Sequence, residues 1–365
     1  MKILNANIEP YYEIVITDDY SLLPAKLSAI LDINSKLLII TDSNVKKIYL
    51  NILVNILNKV YTKIYFFVVK AGEQSKSIMS VLQIYNFCIK QEISKTDCIL
   101  SLGGGVTGDL AGFVAATYKR GIKFVQLPTS LLAQVDSSVG GKVGISYGNI
   151  KNIVGSIYQP CLVYIATCTL KTLHKRQVNN AMAEVIVHSC ISDGKLLDFL
   201  NDNYYEINNI DNKTMENLIY WNCKIKMSIV ERDPFDRNVR KLLNFGHTFG
   251  HAIEVLSNYE LLHGECVAIG VATAYRIAEK VGMVGQNEMR RIEEILLKFD
   301  LPILADKARY EYADIVNKIY QDKKVCNGKL NILLPTRIGN IKILEVFPED
   351  IRQDLYEKAL FNEGR

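Results

Sequence analysis

Short runs rich in Ile, Val, Tyr and Phe alternate with helix-period segments through the first part of the chain, and this alternation restricts the fold more than any other feature. The runs cover residues 13–17, 37–41, 63–69, 98–102 and 123–127. The segments between them, such as 43–59 and 75–91, open on Ser and carry apolar residues every three or four positions, which predicts helices on the sheet faces. Strand, helix, strand is the grammar of a largely parallel sheet, because parallel neighbours need a long crossover. Beyond about Tyr158 long helix-period segments dominate from Arg176 to Lys298. A chain of 365 residues exceeds the roughly 250–300 residues that one hydrophobic core usually serves. The expectation is therefore an α/β protein: a Rossmann-like, mostly parallel sheet domain over 1–158 and a mainly α-helical domain over 159–365. Within the second, residues 330–344 read as a hairpin around 335–339, and the last residues return to helix.

Composition narrows the function classes. An apolar share of 49% with 22% charged residues is that of an ordinary globular protein and excludes a long disordered architecture. The net charge of +4 is small and the basic residues are scattered, which disfavours nucleic acid as a partner. Eight cysteines include no CxxC pair and most lie in apolar segments, so reduced thiols in a reducing compartment are expected. Residues 1–9 lack a basic segment followed by an apolar core, which argues against a signal peptide. The apolar stretch 266–275 is far shorter than the ~20 residues that span a bilayer. A cytoplasmic protein with no membrane contact is expected.

The run 98–102 is followed by Gly103-Gly104-Gly105-Val106-Thr107-Gly108-Asp109 and then the helical run 110–119. Strand, glycine turn and helix together form a phosphate cradle: glycines permit positive φ and close approach, and the amides opening the helix point at the anion. Gly103, Gly105 and Gly108 satisfy GxGxxG, yet no acidic residue lies near twenty positions downstream and this is about the fourth strand, so the standard dinucleotide fingerprint is met in part. Thr41-Asp42-Ser43-Asn44 ends an earlier strand, where ligands of open α/β sheets collect. A tight turn without a ligand is the plain alternative.

Three of only five histidines lie in Asn244-Phe245-Gly246-His247-Thr248-Phe249-Gly250-His251 and in the following Leu262-His263-Gly264-Glu265. His247 and His251 are one helical turn apart, so with His263 they suit a borderline metal such as zinc. Glu184 stands alone among apolar or small residues in Ala181-Met182-Ala183-Glu184-Val185-Ile186-Val187 and, if buried, needs a partner. Two His and one Glu leave positions open for substrate, the catalytic pattern. A satisfied structural pair of histidines and a solvent-facing Glu are the alternatives. Cations recur beside Gly or Asn in Gly140-Gly141-Lys142, Gly148-Asn149-Ile150-Lys151-Asn152 and Lys119-Arg120-Gly121, and again at Lys226, Arg240 and Lys323-Lys324. That association favours a pocket for a phosphate and a carboxylate over scattered surface charge.

Several motifs in order resemble one family, the 3-dehydroquinate synthases of the sugar-phosphate cyclase superfamily. They are Gly72-Glu73-Gln74-Ser75-Lys76, the glycine loop from Leu102 to Gly112, the run from Leu127 to Lys142, Gly148 to Asn152, Ala183-Glu184-Val185, Asn244 to His251 and His263-Gly264-Glu265. The resemblance implies a carbon–oxygen lyase that converts 3-deoxy-D-arabino-heptulosonate 7-phosphate to 3-dehydroquinate and phosphate in the shikimate pathway, using NAD and one zinc or cobalt ion. It implies NAD contacts at Asp42, Glu73, Lys76, the loop Gly103, Gly104 and Gly105, Asp109, Thr129, Ser130, Lys142, Lys151, Thr169 and Thr172. Glu184, His247 and His263 match the metal ligands, whereas His251, which spacing alone would make a ligand, matches a substrate-phosphate contact. Asp136, Lys142, Asn152, Lys226, Arg240, Asn244 and Lys323 match positions lining the substrate. Arg120 is expected to reach it from a neighbouring subunit, which implies a homodimer.

One departure stands out: the family usually carries Lys three residues after the metal Glu, and this chain has Val187. Losing one hydrogen bond to a charged group corresponds to roughly a ten- to two-hundred-fold effect. His188 is adjacent but sits about 100° round the helix. Three other readings remain. A polyol dehydrogenase of the glycerol dehydrogenase type needs no phosphate pocket and would accumulate NADH. Another cyclase, such as a deoxy-inosose synthase, takes a substrate without the carboxylate. A non-catalytic NAD-binding paralogue would release no phosphate.

Overall fold

The computed structural model describes residues 1–148, 150–321, 325–326, 329–346 and 353–361. They form two compact units, Met1–Leu173 with Asn209–Phe235, and His174–Asn208 with Asp236–Arg365.

The first unit is built on seven strands: β1 (Lys2–Ala6), β2 (Tyr12–Thr17), β3 (Leu37–Asp42), β4 (Ile64–Val69), β5 (Cys98–Gly103), β6 (Lys123–Pro128) and β9 (Leu162–Ala166). Their order is β1-β2-β9-β6-β5-β3-β4, antiparallel only between β1 and β2. The five predicted runs all appear as strands. The central ones lack polar alternation because both faces are covered. Leu37, Ile39, Leu100 and Leu102 enter one core with Leu53 and Tyr164, while Leu38, Ile40 and Ile99 enter another with Val81, Ile84 and Leu110. Residues 43–57 are helical throughout, whereas in the predicted 75–91 segment the helix starts only at Ile78, capped by Ser77 after the short turn Glu73–Ser75.

From β3 the chain goes outward to β4 and then returns to lay β5 on the other side of β3, so strand order reverses between β3 and β5. Ligands of open α/β sheets gather beyond the strand carboxyl ends at such a reversal. Register aligns those ends: Asp42 pairs with Val69, Thr41 with Leu102, and Gly103 with Pro128. Between β6 and β9 lies a two-stranded hairpin, β7 (Lys142–Tyr147) and β8 (Ile150–Ile157). The helix Asn212–Val230 also belongs to this unit.

In the second unit the helices α2 (Lys175–Cys190), α3 (His247–Leu256), α4 (His263–Lys280), α5 (Gln286–Lys298) and α6 (Gln353–Phe361) accompany a small sheet. Helix α1 (Gly105–Thr117) belongs to the first unit. Strands β10 (Val325–Cys326), β11 (Lys329–Arg337) and β12 (Asn340–Val346) form that sheet. The predicted hairpin is present, but Pro335 lies within β11 and the turn is made at Ile338 and Gly339, whose φ is +86°. Helix α4 is buried on nearly every side, which explains its continuous apolar character. Its Arg276 is buried and holds three neighbours: Nε donates to Glu293 of α5 at 2.6 Å, and Nη1 to the carbonyls of Ile303 and of Ala359 on α6. No described helix is long and apolar enough to cross a membrane.

Candidate active site

In the sheet unit the nucleotide candidates other than Lys142 and Lys151 lie at or just after the carboxyl ends of parallel strands. Asp42 ends β3, Glu73 and Lys76 follow β4, Gly103, Gly104, Gly105 and Asp109 follow β5, Thr129 and Ser130 follow β6, and Thr169 and Thr172 follow β9. Asp42 Oδ1 caps the next helix by accepting from the amides of Asn44 and Val45 at 2.8 and 3.1 Å. Helix α1 begins already at Gly105, earlier than the expected 110, with Gly104 as its N-cap and no side chain capping it. Its first amides are therefore available to an anion, as a bound pyrophosphate would require. None of Gly103, Gly104, Gly105 and Gly108 has positive φ, so conformational freedom is not what these glycines supply. They serve close approach: a Cβ on Gly108 would lie 2.8 Å from the Gln126 side chain, and one on Gly105 3.0 Å from Ser137 Oγ.

Lys76 is the charge centre of this loop. It is 4% exposed, and its Nζ lies 2.7 Å from Asp109 Oδ2 and 3.6 Å from Glu73 Oε1, and also donates to Asn152 Oδ1. Burial pushes the Asp109 carboxyl up to about 6, against the pull of the Lys76 ammonium. Thr169 is held by buried Gln134, whose Nε2 donates to Thr169 Oγ1 at 2.9 Å, and Tyr49 bonds Thr172 Oγ1 at 2.6 Å. In the same unit, Lys226 Nζ donates to the carbonyl and to Oδ1 of Asp136 at 2.6 and 2.5 Å. Lys142 and Lys151 are exposed on the β7–β8 hairpin. Arg120 projects from a turn in which Lys119, Arg120 and Gly121 take φ of +49°, +61° and +111°. Two successive non-glycine residues there are strained.

The helical unit gathers Glu184 from α2, His247 and His251 from α3, and His263 from α4. Glu184 is 3% exposed, and its Oε1 lies 3.3 Å from His247 Nε2 and 3.2 Å from His263 Nε2. Ligand atoms of the three histidines lie within 4.8 Å of one another. Each of the two nearer rings is oriented from behind: His247 Nδ1 meets the Phe245 carbonyl at 3.1 Å and His263 Nδ1 meets Glu254 Oε2 at 3.0 Å. Metal-bound imidazoles are normally held in this way, with the second nitrogen on a carbonyl or carboxylate. Zinc bonds of about 2.0–2.1 Å at tetrahedral angles separate neighbouring donors by about 3.3 Å. The Glu184–histidine spacings match that edge, so the residues present fit a cation.

Charge points the same way. Burial works to raise the Glu184 carboxyl, but the imidazoles of His247 and His263 outweigh it and hold the group well below the usual carboxylate range. Burial likewise works to lower His263, but hydrogen bonds to Glu184 and Glu254 raise it to about 10. Backbone contact brings the helices this close: a Cβ on Gly264 would lie 1.9 Å from the Asn180 carbonyl, and one on Gly270 1.8 Å from that of Gly246.

Arg240 is 2% exposed in the turn Val239–Asn244, which Asn244 closes. Val187 is fully buried, one turn beyond Glu184, and His188 is fully buried beside it. Lys323 and Lys324 lie outside the described residues. The orienting residues Glu254 and Gln134 were missed. Glu254 had a signal, since 247, 251 and 254 share one helix face; Gln134 had none, because its partners come from two other strands.

The chain combines a parallel nucleotide-type sheet unit and a helical unit that carries a histidine–carboxylate cluster, and solved structures share this fold. A structure of 2-deoxy-scyllo-inosose synthase complexed with carbaglucose-6-phosphate, NAD+ and Co2+ superposes with a TM-score of 0.87 at 23% identity, covering 98% of this chain and 99% of that one. A 2-epi-5-epi-valiolone synthase from Streptomyces hygroscopicus subsp. jinggangensis with NAD+ and Zn2+ bound gives 0.87 at 24% identity, covering 98% of each. The sequence profiles described as 3-dehydroquinate synthase N-terminal and C-terminal match residues 66–180 and 181–325. A 3-dehydroquinate synthase from Ruminiclostridium cellulolyticum is 43% identical over 97% of this chain and 97% of its own. The chain belongs to the 3-dehydroquinate synthase family.

Proposed function

We propose that the protein converts 3-deoxy-D-arabino-heptulosonate 7-phosphate to 3-dehydroquinate and phosphate, the family reaction, in the shikimate pathway to chorismate and the aromatic amino acids. The observation that carries this reading is the meeting of Glu184, His247 and His263 at one point, in a chain 43% identical to a 3-dehydroquinate synthase. When bound, the divalent cation would supply Lewis-acid activation of a substrate hydroxyl and NAD would supply a reversible hydride acceptor, so that the nucleotide would not be consumed.

The chain's own residues bind and orient. Glu184, His247 and His263 hold zinc or cobalt, with Glu254 and the Phe245 carbonyl fixing the two rings so that each Nε2 faces Glu184. The uncapped start of α1 receives the pyrophosphate of NAD, and Asp42 receives a ribose through the oxygen not used in capping. Glu73, Lys76, Asp109, Thr129, Ser130, Lys142, Lys151, Thr169 and Thr172 complete the nucleotide contacts. His251 bonds the substrate phosphate. Asp136, Asn152, Lys226, Arg240, Asn244 and Lys323 line the substrate, and the cations and amides among them place its phosphate and carboxylate before any proton moves.

The working form is a cytoplasmic homodimer in which Arg120 serves the neighbouring subunit. Two features support the dimer: the strained turn that projects Arg120, and β8, all of whose residues are exposed. Antiparallel pairing of β8 with a second copy of itself would occupy its open backbone edge, the one not paired with β7.

Phosphate release by the purified protein tests the function. With substrate, NAD and zinc or cobalt, stoichiometric phosphate and no lasting NADH are expected, and a chelator stops release. NADH accumulation with glycerol-like substrates and no phosphate release would establish the dehydrogenase reading instead.

A further inference from the structure

Residues Arg176, Asn180 and Glu184 recur every four positions and so form one stripe on α2. They meet three consecutive residues at the start of α4. Arg176 Nε and Nη2 donate to Glu265 Oε1 and Oε2 at 2.7 and 2.8 Å, Asn180 Oδ1 accepts from the amide of Gly264 at 2.6 Å, and Glu184 Oε1 lies 3.2 Å from His263 Nε2. The stripe therefore reads the first turn of α4 residue by residue, and only its last member meets a proposed metal ligand.

Helix starts leave amides without partners, and the usual remedy is an oxygen on the N-cap side chain. Here the N-cap position is Leu262, which has no such oxygen. Two substitutes appear. Glu265 reaches back to the Leu262 amide at 2.8 Å, while Asn180, 4% exposed, supplies the cap for Gly264 from a different helix. The carboxylate of Glu265 is thus shared between its own helix and Arg176. Gly264 lets the two backbones touch. A shift of α4 by one residue along α2 would break all three contacts at once and turn His263 about 100° away from Glu184.

We propose that Asn180 and the Arg176–Glu265 pair are positioning residues for the cation site, fixing α4 on α2 in the register that brings His263 to Glu184. The proposal rests on the reading of Glu184, His247 and His263 as metal ligands. A residue that orients a ligand in this way is expected to change metal affinity about 10- to 100-fold when removed.

The test is zinc affinity of the full chain by competition with a chromophoric chelator, together with the visible spectrum of the Co2+-loaded protein. Asn180→Ala and Arg176→Ala are expected to weaken zinc binding about 10- to 100-fold and to alter the cobalt bands. Asn180→Asp keeps an accepting oxygen and is expected to restore affinity to within about threefold of wild type, since Asn and Asp cap comparably. Arg176 is half exposed, so its variant folds even if Asn180→Ala does not. Glu293→Gln breaks the buried pair with Arg276, about 20 Å along α4 from His263; it is expected to lower thermal stability with zinc affinity unchanged. Wild-type affinity and cobalt bands in both alanine variants would overturn the proposal. So would weakening in Glu293→Gln equal to that in Asn180→Ala, since loss of stability alone would then account for it. A wild-type protein that binds neither metal overturns the underlying reading, and the proposal with it.

Discussion

In the sheet unit the buried ammonium of Lys76 is answered by its own neighbour, Asp109 at 2.7 Å, whereas in the helical unit Glu184 meets imidazole rings at 3.2 and 3.3 Å. The first arrangement is balanced before a ligand arrives, because each full charge has an opposite one beside it. The second is balanced only if protons or a cation sit among the rings. The surfaces differ as well. The nucleotide side offers backbone amides and glycines at the start of α1 in addition to side chains, while the helical side offers only side chains, from three helices. A binding surface made of backbone survives many substitutions, whereas one made of three side chains is lost with any of them.

The contrast is broken or sharpened by substitution on each side. Glu184→Ala is expected to remove tight metal binding and to lower kcat by about a thousandfold or more, because the cation contributes several kcal/mol of charge stabilisation. NAD binding, measured separately, is expected to persist. Lys76→Met leaves Asp109 without its partner; breaking a buried pair from one side costs about 3–5 kcal/mol, and the part-exposed Asp109 points to the lower end. Denaturant unfolding checks this, with zinc affinity expected to stay at the wild-type value. Glu254→Gln is expected to weaken metal binding about 10- to 100-fold by loosening the His263 ring.

The smallest effect concerns pH. The folded-state value of Asp109 is raised to about 6 from 3.8, so between roughly pH 4 and 6 the folded protein keeps a proton the unfolded chain has lost. Stability from this group is therefore greatest below about pH 4 and falls as pH rises through that window. The slope is at most about 1.4 kcal/mol per pH unit. Asp109→Asn is expected to flatten that part of the stability profile, and an unchanged slope would show that Asp109 does not titrate there.

The same contrast governs what the sequence reveals. The strands 37–42 and 98–103 were legible because burial on both faces leaves an unbroken apolar run, and the glycine loop because strand, turn and helix are contiguous. Strand β9, five buried residues, was not, since so short an apolar run carries no period of its own and its place depends on β2 and β6. The β7–β8 hairpin was hidden by Lys142, Gly148, Lys151 and Asn152, residue types that also suit a ligand loop. In the helical unit the scarcity of histidine made His247, His251 and His263 visible, and spacing placed two of them on one face. Asn180 was beyond reach, because it caps a helix that begins more than eighty residues later.

The position of a bound zinc ion decides the assignment of Glu184, His247 and His263. Anomalous diffraction at the zinc edge from crystals of the loaded protein is expected to show one ion bonded to Glu184 Oε1, His247 Nε2 and His263 Nε2 at about 2.0–2.2 Å. An ion bound elsewhere, or one held by His251 with Glu184 turned away, would contradict it.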